Sequence, residues 1–336
     1  MKIGFIGYRN HALRLMKLID RLDFDKQFSI YYPNQEQLRS WFGRDKIQSQ
    51  YSLTETFEDL QKTDVVFIAS PTETHFEYLH ALSESYQGYI FCEKPPCGSS
   101  EELDSLSRFA DTIKTRVFFN FCYRYSAFAQ TCKTIIGNGE FGTPVSLSFR
   151  SGHGLAFKEC FKHNWRNVSA NPLNDIVGNV GIHYVDLSDY LLGQSTNLSL
   201  HCARIAPNTR YQDSIHITLE RKGGLPTSVF LSYACPLEDF AQLIFSDGII
   251  ELQKGDLTTR APRECFDSDG WFEAPPTRRT LSFGDSRAYY DDAIVNSLIE
   301  FFGVATHSDQ FPLVHFQSAI NSTQKILNIR RDSIDN

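Results

Sequence analysis

Several things are missing from this 336-residue chain, and each absence removes a class of function. No stretch approaches the roughly 18 consecutive apolar residues of a membrane span. The start, Met1-Lys2-Ile3-Gly4-Phe5-Ile6-Gly7, lacks the apolar core and cleavage site of a signal peptide. There is no basic excess: the formal net charge is −7, whereas a protein that binds nucleic acid needs a basic face for the phosphates. Only Asn328-Ile329-Arg330-Arg331 is locally basic, which reads as a solvated helix end. The eight cysteines (Cys92, Cys97, Cys122, Cys132, Cys160, Cys202, Cys235 and Cys265) never form a Cys-x-x-Cys pair, and no His/Cys cluster has zinc-ligand spacing. No low-complexity tract or internal repeat is present. The expectation is a cytoplasmic protein with reduced, buried thiols, no metal, and neither nucleic acid nor membrane as partner.

What is present is a soluble globular composition, 41% hydrophobic and 22% charged. The length suggests about two domains. The first third alternates strand and helix. Strands are expected at Lys2–Ile6, Phe28–Tyr32, Asp64–Ala69, Tyr89–Glu93 and Arg116–Asn120, several apolar throughout. Helices are expected at Ala12–Leu22 and Thr74–Tyr86, with a short one at Phe57–Leu60. A further helix begins at Ser99, where Glu102 completes a capping box. Apolar strands alternating with helices predict a doubly wound parallel sheet covered on both faces, a Rossmann-type α/β domain over residues 1–122.

Beyond about residue 125 the pattern changes. A helix over Ser126–Ile136, stopped by Gly137, is followed by strands at Val145–Arg150, Leu198–Ile205, Ser214–Leu219, Ser228–Tyr233 and Leu243–Phe245. A long helix over Asn174–Leu192 interrupts them, and Gly255–Ser286 reads as a loop or extended arm. Closing helices are expected at Asp292–Phe302 and Phe316–Arg330. This predicts a second domain over 123–336, α+β with an open, largely antiparallel sheet.

Two stretches carry chemistry. Gly7-Tyr8-Arg9-Asn10-His11-Ala12 lies where the first strand turns into the first helix, the phosphate cradle of a dinucleotide-binding unit. Only Gly7 and Ala12 keep the usual rule, and Arg9 replaces the second glycine. The acid that would hold a ribose 2′-hydroxyl after the second strand is absent, Tyr31-Tyr32-Pro33-Asn34 standing there instead. An arginine and a missing acid lean towards NADP over NAD. Phe91-Cys92-Glu93-Lys94-Pro95-Pro96 ends a buried strand with a carboxylate and an ammonium. Ligands of open α/β sheets bind outside such strand ends, and a lysine there can polarise an oxygen or carry its proton.

Ala69-Ser70-Pro71-Thr72-Glu73-Thr74-His75, followed one βα unit later by Glu93-Lys94-Pro95, resembles the glucose–fructose oxidoreductase, inositol dehydrogenase and rhizopine-catabolism (Gfo/Idh/MocA) family of NAD(P)-dependent oxidoreductases. Asn120-Phe121-Cys122-Tyr123-Arg124-Tyr125, Asn164-Trp165-Arg166 and Asn179-Val180-Gly181-Ile182-His183-Tyr184-Val185-Asp186 are similar to further segments of that family, in the same order.

The resemblance implies a nicotinamide over the strand ends, with cofactor contacts from Gly7, Tyr8, Arg9, Asn10, Ala12, Tyr32, Ser70, Pro71, Thr72, His75, Glu93, Lys94, Pro95 and Asn120. It implies Lys94 at the substrate hydroxyl and His183 as general base or acid. Substrate contacts are implied for Lys94, Arg124, Trp165, Arg166, Asn179 and His183, on a sugar, polyol or nucleotide sugar. His153 and His163 are candidates to line a polar pocket.

The family's Asp one turn before the histidine is Asn179 here, and one helical turn puts Asn179 and His183 on the same face. Asp175 and Asp186 are candidate substitutes, and Leu173-Asn174-Asp175 replaces a glycine run. Two functions stay open: an oxidoreductase acting on a carbohydrate-type molecule, expected as a homo-oligomer, or a homologue that keeps the fold as a ligand-binding or regulatory protein.

Overall fold

The structure is a computed structural model that describes residues 1–42, 50–169, 171 and 173–329. The expected basic tail, Arg330-Arg331, lies outside them. Two compact units emerge. The first joins Met1–Phe121 with Ile294–Gln324, and the second joins Cys122–Ala293 with the residues from Lys325 onward. A single cut at 122/123 puts the closing helices in the second part, whereas most of them belong to the first unit.

The first unit is built on six parallel strands: β1 (Lys2–Ile6), β2 (Gln27–Tyr31), β3 (Tyr51–Leu53), β4 (Val65–Ile68), β5 (Tyr89–Cys92) and β6 (Val117–Phe119), in the order β3-β2-β1-β4-β5-β6. The order reverses between β1 and β4, the switch point at which doubly wound sheets bind ligands. Five helices belong to this run: α1 (Asn10–Ile19), α2 (Gln35–Phe42), α3 (His75–Ser85), α4 (Ser100–Ser107) and α5 (Asp111–Lys114). Ser99 caps α4 by accepting from Glu102 N, and the Glu102 carboxylate accepts from Gly98 N, so the expected capping box forms one residue displaced on its return arm.

One face of the sheet is a row of phenylalanines in register. Phe5, Phe67, Phe91 and Phe118 are direct neighbours on β1, β4, β5 and β6. Their ring centroids are 4.8, 4.6 and 5.4 Å apart, and all four rings are buried. This row is closed by chain that arrives last. Phe301 of α9 (Ser286–His307) sits edge-on 5.3 Å from both Phe67 and Phe91.

The second unit carries an eight-stranded sheet: β7 (Pro144–Gly152), β8 (Asn197–Ala203), β9 (Ser214–Glu220), β10 (Thr227–Ser232), β11 (Glu238–Phe245), β12 (Ile249–Gln253), β13 (Asp256–Arg260) and β14 (Thr277–Ser282), in the order β14-β13-β12-β11-β7-β10-β9-β8. Only β7 and β10 pair in parallel, so the sheet is largely antiparallel as expected. Its helices are α6 (Ala127–Asn138), α7 (Trp165–Val168) and α8 (Ile182–Leu192), and the chain ends on α10 (Leu313–Leu327), most of which belongs to the first unit.

Three expectations change here. Gly255–Ser286 is not simply a loop, because it contributes β13 and the edge strand β14, whose alternation is masked by polar and arginine-rich residues. Helix α6 ends at Gly139 (φ +69°), in the left-handed conformation glycine tolerates, rather than at Gly137. The long helix over Asn174–Leu192 is broken in kind: Val177–Gly181 is a π-helical turn, and regular α-helix begins only at Ile182. Of the eight thiols, Cys92, Cys97, Cys122 and Cys132 are buried, while Cys160 and Cys202 are exposed. Among the described residues, no helix is long and apolar enough to cross a membrane.

Candidate active site

In the first unit the strand ends β1, β4 and β5 bring the sequence candidates together. At the first, Gly7 takes φ +113°, and a Cβ there would meet the Ala69 carbonyl oxygen at 2.6 Å. No other residue type fits. Arg9 is extended (φ −110°) and opens α1, whose N-terminus has no side-chain cap and no acid in its first turn. The unsatisfied N–H groups and positive dipole end of a ten-residue helix are thereby left to an anion. The Arg9 guanidinium lies 5.6 Å from the centre of the Trp41 ring, which packs edge-on against Tyr32. No acid follows β2. Gln35 there donates to the Tyr32 and Thr54 carbonyls, and Asn34 caps α2 at Gln37 N.

At the end of β5, Glu93 is buried and acts as a strut. Its Oε1 accepts from His11 Nε2 at 2.8 Å and from Asn120 Nδ2 at 2.8 Å. Burial pushes its pKa up, but the His11 ring, the Asn120 amide and the Lys94 ammonium outweigh it and draw the carboxyl down to about 2. Asn120 is engaged at its other end too, its Oδ1 accepting from Ser297 Oγ at 3.0 Å. With 1% exposure, Asn120 is part of the frame that fixes Glu93 rather than an open contact for a cofactor. Lys94, the next residue, is half-buried and is joined to Pro95 by a cis peptide bond.

His75, expected at the cofactor, faces protein on both sides. Its Nδ1 is 2.7 Å from the Pro95 carbonyl oxygen and its Nε2 is 2.9 Å from that of Ser70. The turn it anchors, Ser70 to Thr74, presents Pro71 to solvent with Ser70 and Thr72 half-buried, and Thr74 Oγ1 donates within it.

In the second unit the expected helix face around His183 is rearranged. The π-helical turn is wider than an α-turn, so the four-residue spacing from Asn179 to His183 no longer equals one turn. The Asn179 amide donates to the Tyr233 hydroxyl at 3.1 Å. His183 is buried, with its ring 5.1 Å from that of Tyr123. The two acids considered as substitutes hold other groups. Asp175 Oδ1 accepts from Val177 N and Gly178 N and so caps the turn. Asp186 binds the Arg124 guanidinium through both oxygens, one bond measuring 2.7 Å, in a pair almost wholly buried. Arg124 is thereby a structural cation, which overturns its expected place against substrate.

The Trp-Arg segment lies at the surface of the second unit. Trp165 is 45% exposed, with Arg166 4.2 Å over its ring, and Asn164 caps the short helix α7. Tyr233 was not singled out from sequence. It follows directly on β10 with no motif around it, yet His153 stacks on it at 5.1 Å, and the Asn179 amide and Arg166 guanidinium partly offset the upward push of burial on its phenol. Burial, with Arg166 and Lys158, lowers the basicity of His153, whose Nδ1 accepts from Leu155 N. His163 is exposed. Among the described residues no group of three His, Cys, Asp or Glu could hold a metal.

The chain matches two family models in sequence. Residues 1–121 match the oxidoreductase family, NAD-binding Rossmann fold, and residues 129–251 match the GFO/IDH/MocA C-terminal domain. It is 27% identical over 243 residues to glucose-6-phosphate 3-dehydrogenase of Bacillus subtilis (strain 168), covering 69% of this chain and 66% of that one. With D-apiose dehydrogenase of Rhizobium rhizogenes the identity is 24% over 200 residues, covering 57% and 56%. The matched part thus spans about two thirds or less of these relatives' own lengths. Among solved structures, levoglucosan dehydrogenase in complex with NADH superposes with a TM-score of 0.76 at 16% identity, covering 97% of this chain and 96% of that one. A myo-inositol dehydrogenase from Corynebacterium glutamicum gives 0.74 at 16%, covering 97% and 94%. At that identity the likeness establishes the shared fold. From the two matched models and this fold, the chain belongs to the Gfo/Idh/MocA family of oxidoreductases, whose first domain is an NAD-binding Rossmann fold.

Proposed function

We propose that the protein is an NAD(P)-dependent oxidoreductase acting on a hydroxyl or ketone of a sugar, polyol or nucleotide sugar. The observation that carries this reading is the arrangement at the end of β5, where a buried, ionised Glu93 is braced from both sides directly before Lys94. The first unit fits a dinucleotide: Gly7 admits the close turn, and the uncapped start of α1 suits a pyrophosphate. Bound there, the nicotinamide would supply or accept the hydride. Tyr8, Arg9, Asn10, Ala12, Tyr32 and the turn Ser70-Pro71-Thr72 would hold the rest of it. Arg9 with the acid-free end of β2 favours NADP, because a guanidinium attracts a 2′-phosphate that a carboxylate repels.

Lys94 carries the proton of the reacting oxygen in this reading, and His183 is the second acid/base group. Trp165, Arg166 and Asn179 are assigned to the substrate. The protein is read as cytoplasmic from its cysteine usage and as homo-oligomeric from its resemblance.

Titration with NADH and NADPH followed by fluorescence tests the reading. Binding of neither below millimolar concentration would sink it. Given binding, Lys94→Ala is expected to abolish turnover and leave nucleotide affinity nearly unchanged. One observation favours the alternative of a ligand-binding or regulatory homologue. Asn179 supplies an amide where an acid is expected, while Asp175 caps the π-helical turn and Asp186 pairs with Arg124. Nucleotide binding with no turnover on any carbohydrate would select it.

A further inference from the structure

We infer that His75 is a positioning residue that ties two ligand-bearing turns of the first unit to one ring, Nδ1 holding the Lys94-Pro95 turn and Nε2 holding the Ser70 turn. The inference rests on the oxidoreductase reading and adds to it a residue that touches neither cofactor nor substrate.

Both ring nitrogens face carbonyl oxygens, at 2.7 and 2.9 Å, and carbonyl oxygens only accept. A neutral imidazole has one N–H to donate, so it satisfies one turn and presents a lone pair to the other. Only the protonated ring satisfies both. The shorter contact assigns the neutral proton to Nδ1, which holds Pro95. The Ser70 turn then receives its bond only when a second proton arrives on Nε2.

What opposes that second proton is also visible. The ring is 1% exposed, it opens α3 at the positive end of the helix dipole, and Lys94 repels it. Glu93 on the facing strand end attracts it, while Glu73 of the Ser70 turn is exposed and Glu77 lies in the first turn of α3. Burial is the largest of these influences and lowers the ring's basicity below that of an ordinary histidine. At neutral pH the Lys94 turn is therefore held, and the Ser70 turn receives no hydrogen bond from the ring.

Two substitutions separate the two bonds, because an Asn side chain places its amide where Nδ1 lies and a Gln where Nε2 lies. His75→Asn keeps a donor for Pro95 and, like the neutral ring, offers none to Ser70: kcat and nucleotide affinity at neutral pH are expected to be largely kept, and the rise in affinity at low pH to be lost. His75→Gln gives Ser70 a donor that the neutral ring lacks and takes away the one to Pro95: kcat is expected to fall about tenfold or more, as small misplacements of a reacting group do, with nucleotide affinity kept or raised. In the wild type, nucleotide affinity is expected to rise as pH falls through the titration of this ring, and in His75→Gln to be flat there.

Ring ¹⁵N spectra of the wild type, assigned against His75→Gln, give a readout independent of turnover. They are expected to show the Nδ1–H tautomer and a midpoint below that of an ordinary histidine. An Nε2–H tautomer, an ordinary midpoint, or Asn and Gln variants that alter kcat and nucleotide affinity alike would overturn the inference. If the wild type turns over no carbohydrate, the oxidoreductase reading fails, and the ring spectra with the nucleotide affinities of the two variants still decide for or against His75.

Discussion

Replacing Glu93 with Gln keeps an acceptor for the His11 and Asn120 hydrogen bonds and removes only the charge. The carboxyl sits at about 2 in the fold, against an ordinary 4.5. At 1.36 kcal/mol for each tenfold change in proton affinity, that displacement is worth about 3 kcal/mol of stability at neutral pH. Because Glu93 is buried, little of this is lost to solvent screening. The sign is fixed by linkage. An acid whose folded pKa is depressed binds fewer protons folded than unfolded, so its contribution is complete above the unfolded value near 4.5 and disappears as pH falls towards about 2. Urea titrations of both proteins by circular dichroism at pH 7, 5, 4 and 3 are the assay. Glu93→Gln is expected to be less stable by about 3 kcal/mol at pH 7 and pH 5, with the gap narrowing at pH 4 and more at pH 3. A gap under about 0.5 kcal/mol at pH 7, or one of the same size at every pH, would refute the strut.

Other predictions follow from the same geometry. Arg9→Ala is expected to weaken NADPH binding about tenfold while changing NADH binding much less, measured by fluorescence titration. Asn179→Asp reverses the hydrogen bond to Tyr233; a rise in turnover or a shifted pH optimum in rate profiles identifies His183 as the working base, and no change points to Lys94. Phe301→Ala empties the edge-on contact over Phe67 and Phe91 and is expected to cost about 3–5 kcal/mol in urea unfolding, with wild-type stability refuting that packing.

The parallel sheet was readable because its strands are apolar on both faces and punctuated by Gly7, Ser70-Pro71 and Lys94-Pro95. The strands β13 and β14 were not, since Thr, Arg and Asp at that end of the sheet look like a loop until a partner strand supplies the hydrogen bonds. The motif residues Gly7, Glu93, Lys94, His75 and His183 were legible as a set, but their partners were not. His11 bracing Glu93 and Tyr233 receiving Asn179 are pairings across 82 and 54 positions of chain, which no local pattern announces. Arg124 illustrates the converse error. A cation in a family-like segment suggests a ligand, but burial beside Asp186 decides its use.

The first unit takes its last pieces from the far end of the chain, residues 294–324, some 170 positions after Phe121. At about 5–20 residues per second, a ribosome needs on the order of 10–35 s to deliver them. During that interval Phe67, Phe91 and Phe118 have no Phe301 to cover them. The nascent sheet is thus a client for chaperones, and truncation anywhere before α9 leaves a sticky aromatic face rather than a smaller working domain.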